Sequence, residues 1–391
     1  MPSLSTYLVP AATIPQSGLL VGRAWSPKAG GPSVVKLEAG ALIDITGTFP
    51  TMRDLCEAAD PAAEAAAAEG EKLALLQDVL ANTPRGTRNP EKPWLLAPID
   101  LQAIKACGVT FAISMLERVI EERARGNPDA AADIRASIQT LIGDDLSKLK
   151  PGSPEAMALK QVLIEKGVWS QYLEVGIGPD AEIFTKSQVM SAVGHGMEAG
   201  LNPISSWNNP EPEVVLIVSS AGRIVGATLG NDVNLRDVEG RSGLLLGKAK
   251  DNNASCAIGP FIRLFDNEFT LDSVRKMELS LRVEGEDGFV LKGMSNMAKI
   301  SRDPADLVGQ MINAHHQYPD GAVLFLGTLF APVEDRGEKG QGFTHKEGDI
   351  VTVSSRDLGA LTNRMTSTNA APPWTYGTSH LMRNLAERGL L

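Results

Sequence analysis

Between residues 20 and 46, apolar and polar positions alternate in three short runs, LLVGRAW, SVVKLEAG and ALIDITG, parted by glycine turns. A period of two bounded by glycines predicts strands. Residues 52–82 are rich in alanine and glutamate and predict helix, stopped by Asn82-Thr83-Pro84. The segment PRGTRNPEKP, residues 84–93, predicts a loop. A boundary near residue 95 then separates a small N-terminal α+β domain, 1–95, from a larger unit, 96–391. Residues 111–166 predict a helical insertion: LERVIEERARG places apolar residues at helical spacing and leaves Glu and Arg for a solvated face. Pro151 and Pro154 mark a break in it. From about residue 172 short β-rich runs recur, among them VVLIVSS, RIVGATL, ELSLRVEG, AVLFLGTLF and DIVTVSS, which predicts a β core with long functional loops. The fold class expected is α+β, with no fixed-period repeat.

Composition narrows the function. With 391 residues, 43% hydrophobic and 21% charged, the chain is long enough for two compact domains. The net charge of −10 comes without a basic stretch, so a nucleic-acid partner is not expected. Three cysteines, Cys56, Cys107 and Cys256, match neither a disulfide framework nor a zinc site, which suits a reducing cytoplasm. The first twenty residues do not resemble a secretory leader. No apolar run reaches 18 residues, so no membrane partner is expected either.

Residues 205–260 carry the candidate chemistry. Glu211 and Glu213 stand two apart at the mouth of a strand, so the period-2 pleat points both to one face. Asp232 follows the next apolar run, which can pair as the neighbouring strand. Three carboxylates can thus meet at one sheet edge, where their repulsion must be relieved by protons or a cation. Hard oxygen ligands suit Mg²⁺, with Mn²⁺ also possible. On spacing alone, a solvated strand end fits these residues better than a metal site does.

The motif around these residues resembles the fumarylacetoacetate hydrolase superfamily. The matching positions are Glu211, Glu213, Gly230, Asn231, Asp232, Val233, Arg236, Asp237, Lys250, Gly259 and Pro260, with Pro179, Glu182, Phe184 and Lys186 in PDAEIFTKS. The strand ending at Thr328 and the segment 347–365 are similar to further family motifs, so the resemblance covers roughly residues 95–370. It implies a mixed β-roll catalytic domain, a divalent ion on Glu211, Glu213 and Asp232, and a keto-acid substrate that chelates the ion. It also implies a homo-oligomer, a dimer or tetramer.

One departure from the hydrolases shapes the expected activity. Hydrolytic members carry His-x-x-Glu where this chain has Ser114 and Glu117, and no histidine precedes His195. Without that imidazole the usual base for a hydrolytic water is missing. The wording of the chain is most similar to the sugar-acid dehydratases of the superfamily. The implied reaction is loss of water from a small-molecule 2-keto-3-deoxy sugar acid, a D-pentonate by resemblance, giving 2-oxoglutarate semialdehyde in oxidative pentose degradation. Lys250 is the candidate base, its pKa lowered by desolvation near a cation; pairing with the carboxylates is its alternative role, and Lys248 is its rival in alignment. Glu182 and Glu117 are candidate acids or supporting partners, against ordinary salt-bridge roles. Lys186, Ser114, Thr328, Asn231 and Arg236 are candidate substrate contacts. His195 lies in a glycine-rich loop near the expected mouth. The adjacent His315 and His316 read as surface residues, and Cys256 as a small core residue. Two rival functions remain open here: a Mg²⁺-dependent C–C hydrolase of 2,4-diketo acids, and a sugar-acid binding protein without turnover.

Overall fold

The computed structural model describes residues 4–15, 17–125, 149–167, 169–330, 332, 334–336 and 342–391, without the side chains of residues 113, 114, 116 and 121. The N-terminal strands are β1 (Leu20–Ser26), β2 (Gly31–Glu38), β3 (Ala41–Asp44), β4 (Glu71–Leu75) and β5 (Trp94–Leu95). Next come β6 (Ala103–Gly108), β7 (Glu182–Ser187), β8 (Glu198–Leu201), β9 (Asn208–Asn209) and β10 (Pro212–Val218). They are followed by β11 (Ile224–Asp232), β12 (Asn234–Leu235), β13 (Cys256–Leu264), β14 (Glu278–Glu284) and β15 (Val290–Asn296). The last three are β16 (Ala322–Phe325), β17 (Ile350–Ser355) and β18 (Gly359–Ser367).

An 11-stranded sheet runs β4-β3-β2-β1-β13-β11-β10-β16-β6-β7, with β5 on β1; a second, five-stranded sheet runs β15-β14-β17-β18-β8. Both are mixed: β6–β16 and β8–β18 are parallel pairs among antiparallel ones. The early strands join the later ones in one sheet where β1 pairs with β13.

The pleat of β10 explains how the layers pack. Val214, Leu216 and Val218 face a core shared with Leu281 of β14, Val353 of β17 and Leu361 of β18. Val215 and Ile217 face the opposite core, with Met52, Leu55 and Phe325. Each side chain buried this way contributes about 1.5–3 kcal/mol, so β10 is a rigid base for whatever stands at its end.

The expected helix over 52–82 is broken. Helices Met52–Glu57 and Pro61–Ala67 start on the Thr51–Asp54 capping box and on Asp60 with Pro61 in the first turn. The chain then crosses Gly70, where a Cβ would lie 2.0 Å from the Asp44 carbonyl oxygen. That close approach lets Glu71–Leu75 add to β3 as a strand before helix Leu76–Asn82. Of the expected helical insertion, Ala112–Arg123 and Pro154–Glu165 are helices, while residues 126–148 lie outside the described residues. Among the described residues, no helix is long and apolar enough to cross a membrane.

Candidate metal centre

Prolines 210 and 212 bracket Glu211 and hold the chain extended as it enters β10. Glu213 pairs with Gly230 across the sheet, which brings the end of β11 alongside. Two bonds fasten the junction: Asp232 N donates to the Glu211 carbonyl at 3.0 Å, and Glu211 N donates to Asn231 Oδ1 at 3.1 Å. Glu211, Glu213 and Asp232 are all buried and offer oxygens within 4.8 Å of one another. The expected convergence of three carboxylates is therefore present.

Cations surround two of the three. Lys250 Nζ lies 2.5 Å from Glu211 Oε2 and 3.1 Å from Asp232 Oδ2. Lys186 Nζ lies 2.9 Å from Asp232 Oδ1. Arg118 bridges Glu211 Oε1 and Glu239 Oε2, the latter at 3.0 Å. Among the described residues, Glu213 has only a neutral donor, the Gly327 amide at 2.7 Å. Burial and the two neighbouring carboxylates drive its pKa well above the ordinary 4.5. Burial also raises Glu211. Asp232 is buried too, yet Lys186 and Lys250 hold it below its usual value.

Charge counting defines what is missing. Glu182, Glu211, Glu213, Asp232 and Glu239 line one small cavity of about 20 Å³, with Arg118 and Lys250, and Lys186 stands behind Asp232. Five carboxylates against three cations leave a deficit of two positive charges. A buried excess of that kind must be protonated or neutralised. One divalent ion would supply the missing charge, and an all-oxygen donor set fits a hard ion such as Mg²⁺.

Glu182 and Glu239 reach the cavity from other elements. Glu182 opens β7 opposite Gly108, where a Cβ would sit 1.9 Å from its Oε2, so glycine makes room for the carboxylate. Burial, then the nearby Glu239, pushes the Glu182 pKa up to about 7. Glu239 ends the short helix Arg236–Glu239 that follows β12. Neither Glu239 nor Arg118 was marked by the sequence reading. The Glu-Arg pair at 117–118 was the available signal for Arg118, and it also fits a solvated helix face.

The remaining expected residues fall in different places. Thr328 lines the cavity. Lys250 does too, and is buried, whereas Lys248 is exposed. The expected lowering of the Lys250 pKa is reversed: burial alone would lower it, but Asp232 and Glu211 outweigh burial and raise it. Lys186 is fully buried behind Asp232 and donates to the carbonyls of Val233 and Lys250, so it braces the site from below. Asn231 clamps the Glu211 backbone. Arg236 donates to the Pro332 carbonyl at 3.1 Å, stacks 4.2 Å over Trp207, and stands 3.7 Å from Glu117. Neither Arg236 nor Glu117 lines the cavity. Ser114 lies outside the residues whose side chains are described. His195 is wholly buried, its Nδ1 accepting from Thr362 N at 3.0 Å, far from a solvent-facing role. His315 and His316 are exposed, and Cys256 is a core residue of β13.

Residues 209–366, which hold the triad, match the family described as fumarylacetoacetate (FAA) hydrolase C-terminal. Over that stretch the chain is similar to the fumarylacetoacetate hydrolase family. Its curated relatives include 2-dehydro-3-deoxy-D-arabinonate dehydratase of Saccharolobus solfataricus, 32% identical over 46% of this chain and 57% of the relative. Another is a probable 2-keto-3-deoxyxylonate dehydratase of Haloferax volcanii, 29% identical over 52% of this chain and 66% of the relative. Both matches span less than two thirds of the relative's length. A solved structure of 2-keto-3-deoxy-D-arabinonate dehydratase complexed with magnesium and 2,5-dioxopentanoate superposes with a TM-score of 0.60 at 20% identity. That superposition covers 89% of this chain and 99% of the other, and establishes shared architecture.

Proposed function

We propose that this protein is a Mg²⁺-dependent hydro-lyase that converts a 2-keto-3-deoxy-D-pentonate to 2-oxoglutarate semialdehyde and water. The observation that carries the proposal is a cavity with five carboxylates and two cations on its wall and, among its described lining residues, no histidine. The first feature suits an ion-chelated keto acid; the second removes the usual activator of a hydrolytic water. Names of the curated relatives point the same way.

Glu211, Glu213 and Asp232 would hold the ion. When bound, it supplies Lewis-acid polarisation of the substrate's α-keto oxygen, which makes the neighbouring C3 proton acidic. The chain's own groups then handle protons. Glu182, with a pKa near 7 and a place on the cavity wall, takes the C3 proton or delivers one to the departing C4 hydroxyl. Lys250, which donates to Glu211 and Asp232, would orient these carboxylates, the alternative to the base role expected from the sequence. Thr328 offers a hydroxyl to the substrate from the same wall. The net change is loss of a C3 proton and a C4 hydroxyl as water, with tautomerisation through C5 leaving the aldehyde.

The test is an assay of the full chain with 2-keto-3-deoxy-D-xylonate or -arabinonate, with and without Mg²⁺. Metal-dependent appearance of the semialdehyde supports the proposal. Release of pyruvate from a 2,4-diketo acid, with the sugar acids untouched, would instead establish a C–C hydrolase. Tight binding of the sugar acid without its consumption at high enzyme concentration would establish a binding protein.

A further inference from the structure

A second cavity, about 260 Å³, lies between β1, β5, the loop after β7 and the C-terminal segment 372–376. It shares no lining residue with the carboxylate cavity. Its volume lies just below the range of ligand pockets, roughly 300–1,000 Å³, which suits a small ligand.

The walls are aromatic. Trp25 and Trp94 stack at 5.4 Å between ring centroids, 11° apart, and Tyr376 meets Trp25 edge-on at 5.4 Å. Trp374, 45% exposed, closes the rim. Flat rings of this kind accept another flat ring by offset stacking.

The charge on the walls is positive. Arg23, Arg85 and Arg88 line the cavity against Glu198 alone among carboxylates. Arg23 is buried; its Nη1 donates to the Ile99 carbonyl and its Nε lies 3.7 Å from Asp100. Arg88 sits 4.8 Å over the Trp94 ring and turns Nε and Nη2 to the Thr83 carbonyl. Neither guanidinium meets a carboxylate in the bidentate geometry that arginine favours. The Tyr376 hydroxyl is buried without a hydrogen-bond partner among the described residues, a polar group awaiting one. Two wall residues, Met190 (φ 67°) and Ala254 (φ 58°), hold the left-handed backbone region that favours glycine. Strain of that type gathers at ligand sites.

We propose that this cavity is a second small-molecule site, for a planar aromatic carboxylate whose ring stacks on the indoles and whose carboxylate meets Arg23 or Arg88. The proposal does not depend on the function assigned to the carboxylate cavity.

Isothermal titration of the full chain with 2-naphthoate tests it, with neutral 2-naphthamide and non-planar cyclohexanecarboxylate as comparators. The expected result is one naphthoate per chain, bound about tenfold or more tightly than either comparator. Affinity should fall about tenfold in both Arg88→Gln and Trp374→Ala. The rim position of Trp374 makes its variant a safe one to fold, and melting curves check both. Saturating Mg²⁺ with pyruvate should leave naphthoate binding unchanged. Absence of heat at millimolar naphthoate, equal binding of the amide, retained affinity in both variants, or displacement by Mg²⁺ and pyruvate would each overturn the proposal.

Discussion

Two ionic clusters in this molecule, one reaching the surface through Asp287 and Lys346, look alike until their charges are counted. Around Asp349, the carboxylate accepts from Arg336 at 2.6 and 2.8 Å and from the Lys346 amide at 3.0 Å, with His345 Nδ1 at 3.1 Å. Asp287 joins Arg336 at 3.0 Å and the Lys346 ammonium at 2.9 Å. Two carboxylates face two cations, and burial keeps His345 neutral. Asp349 consequently stays below its usual pKa despite being wholly buried. The cluster at the end of β10 is more deeply buried and has, among the described residues, five carboxylates and three cations. There Glu211 and Glu213 are raised, as expected where charge is left uncompensated. The difference separates a cluster whose charges balance from one with a deficit of two, the charge that a divalent ion would supply.

Substitutions can sharpen the contrast. The largest effect is expected from Asp232→Ala, which removes a ligand and should lower turnover on the order of a thousandfold or more in a steady-state assay with Mg²⁺; unchanged turnover would break the assignment. Asp349→Ala acts on the balanced cluster. It leaves buried Arg336 with Asp287 as its remaining carboxylate and should destabilise the fold by about 3 kcal/mol in urea, while the residual folded protein binds Mg²⁺ normally. A smaller effect is expected from Glu182→Gln. The folded pKa of Glu182, about 7, lies above the ordinary 4.5. Between those values the native state keeps a proton that the unfolded chain has lost, so stability of the metal-free protein falls as pH rises through that window. Glutamine abolishes this fall and should stabilise the metal-free protein at pH 8 by on the order of 2–3 kcal/mol; equal urea midpoints at pH 8 would contradict it. Smallest of all, Lys248→Ala should shift stability by no more than about 0.5 kcal/mol and leave metal affinity alone, since the residue is exposed.

Most of the centre could be read from the chain because it is local. Glu211 and Glu213 share a face through the period of one strand, and Asp232 ends the strand that follows, so pairing of neighbours in sequence suffices. The strands themselves were legible for the same reason: VVLIVSS and RIVGATL became β10 and β11. What escaped depended on distant chain. Arg118 arrives from the helix Ala112–Arg123, and Glu239 from a four-residue helix, and no local pattern separates them from solvated residues. Lys186 matched a motif, but only the packed sheet shows that it lies behind Asp232. Without a metal, the Lys250 pKa is raised by two carboxylates that arrive from other elements, which desolvation read from the sequence leaves out. The strand Glu71–Leu75 hid in an alanine-rich run, since its stability comes from pairing with β3.

Glu213 offers the most direct test, because among the described residues it forms no ion pair and glutamine can replace it without orphaning a cation. Calorimetric titration with Mg²⁺ and Mn²⁺ should show one ion bound per chain in the wild-type protein. In Glu213→Gln that affinity should drop by about a hundredfold, while the metal-free variant melts no lower than the metal-free wild type. Undiminished uptake by the variant, or no uptake by the wild type, would contradict the claim that the carboxylate excess at the end of β10 is a seat for a divalent ion.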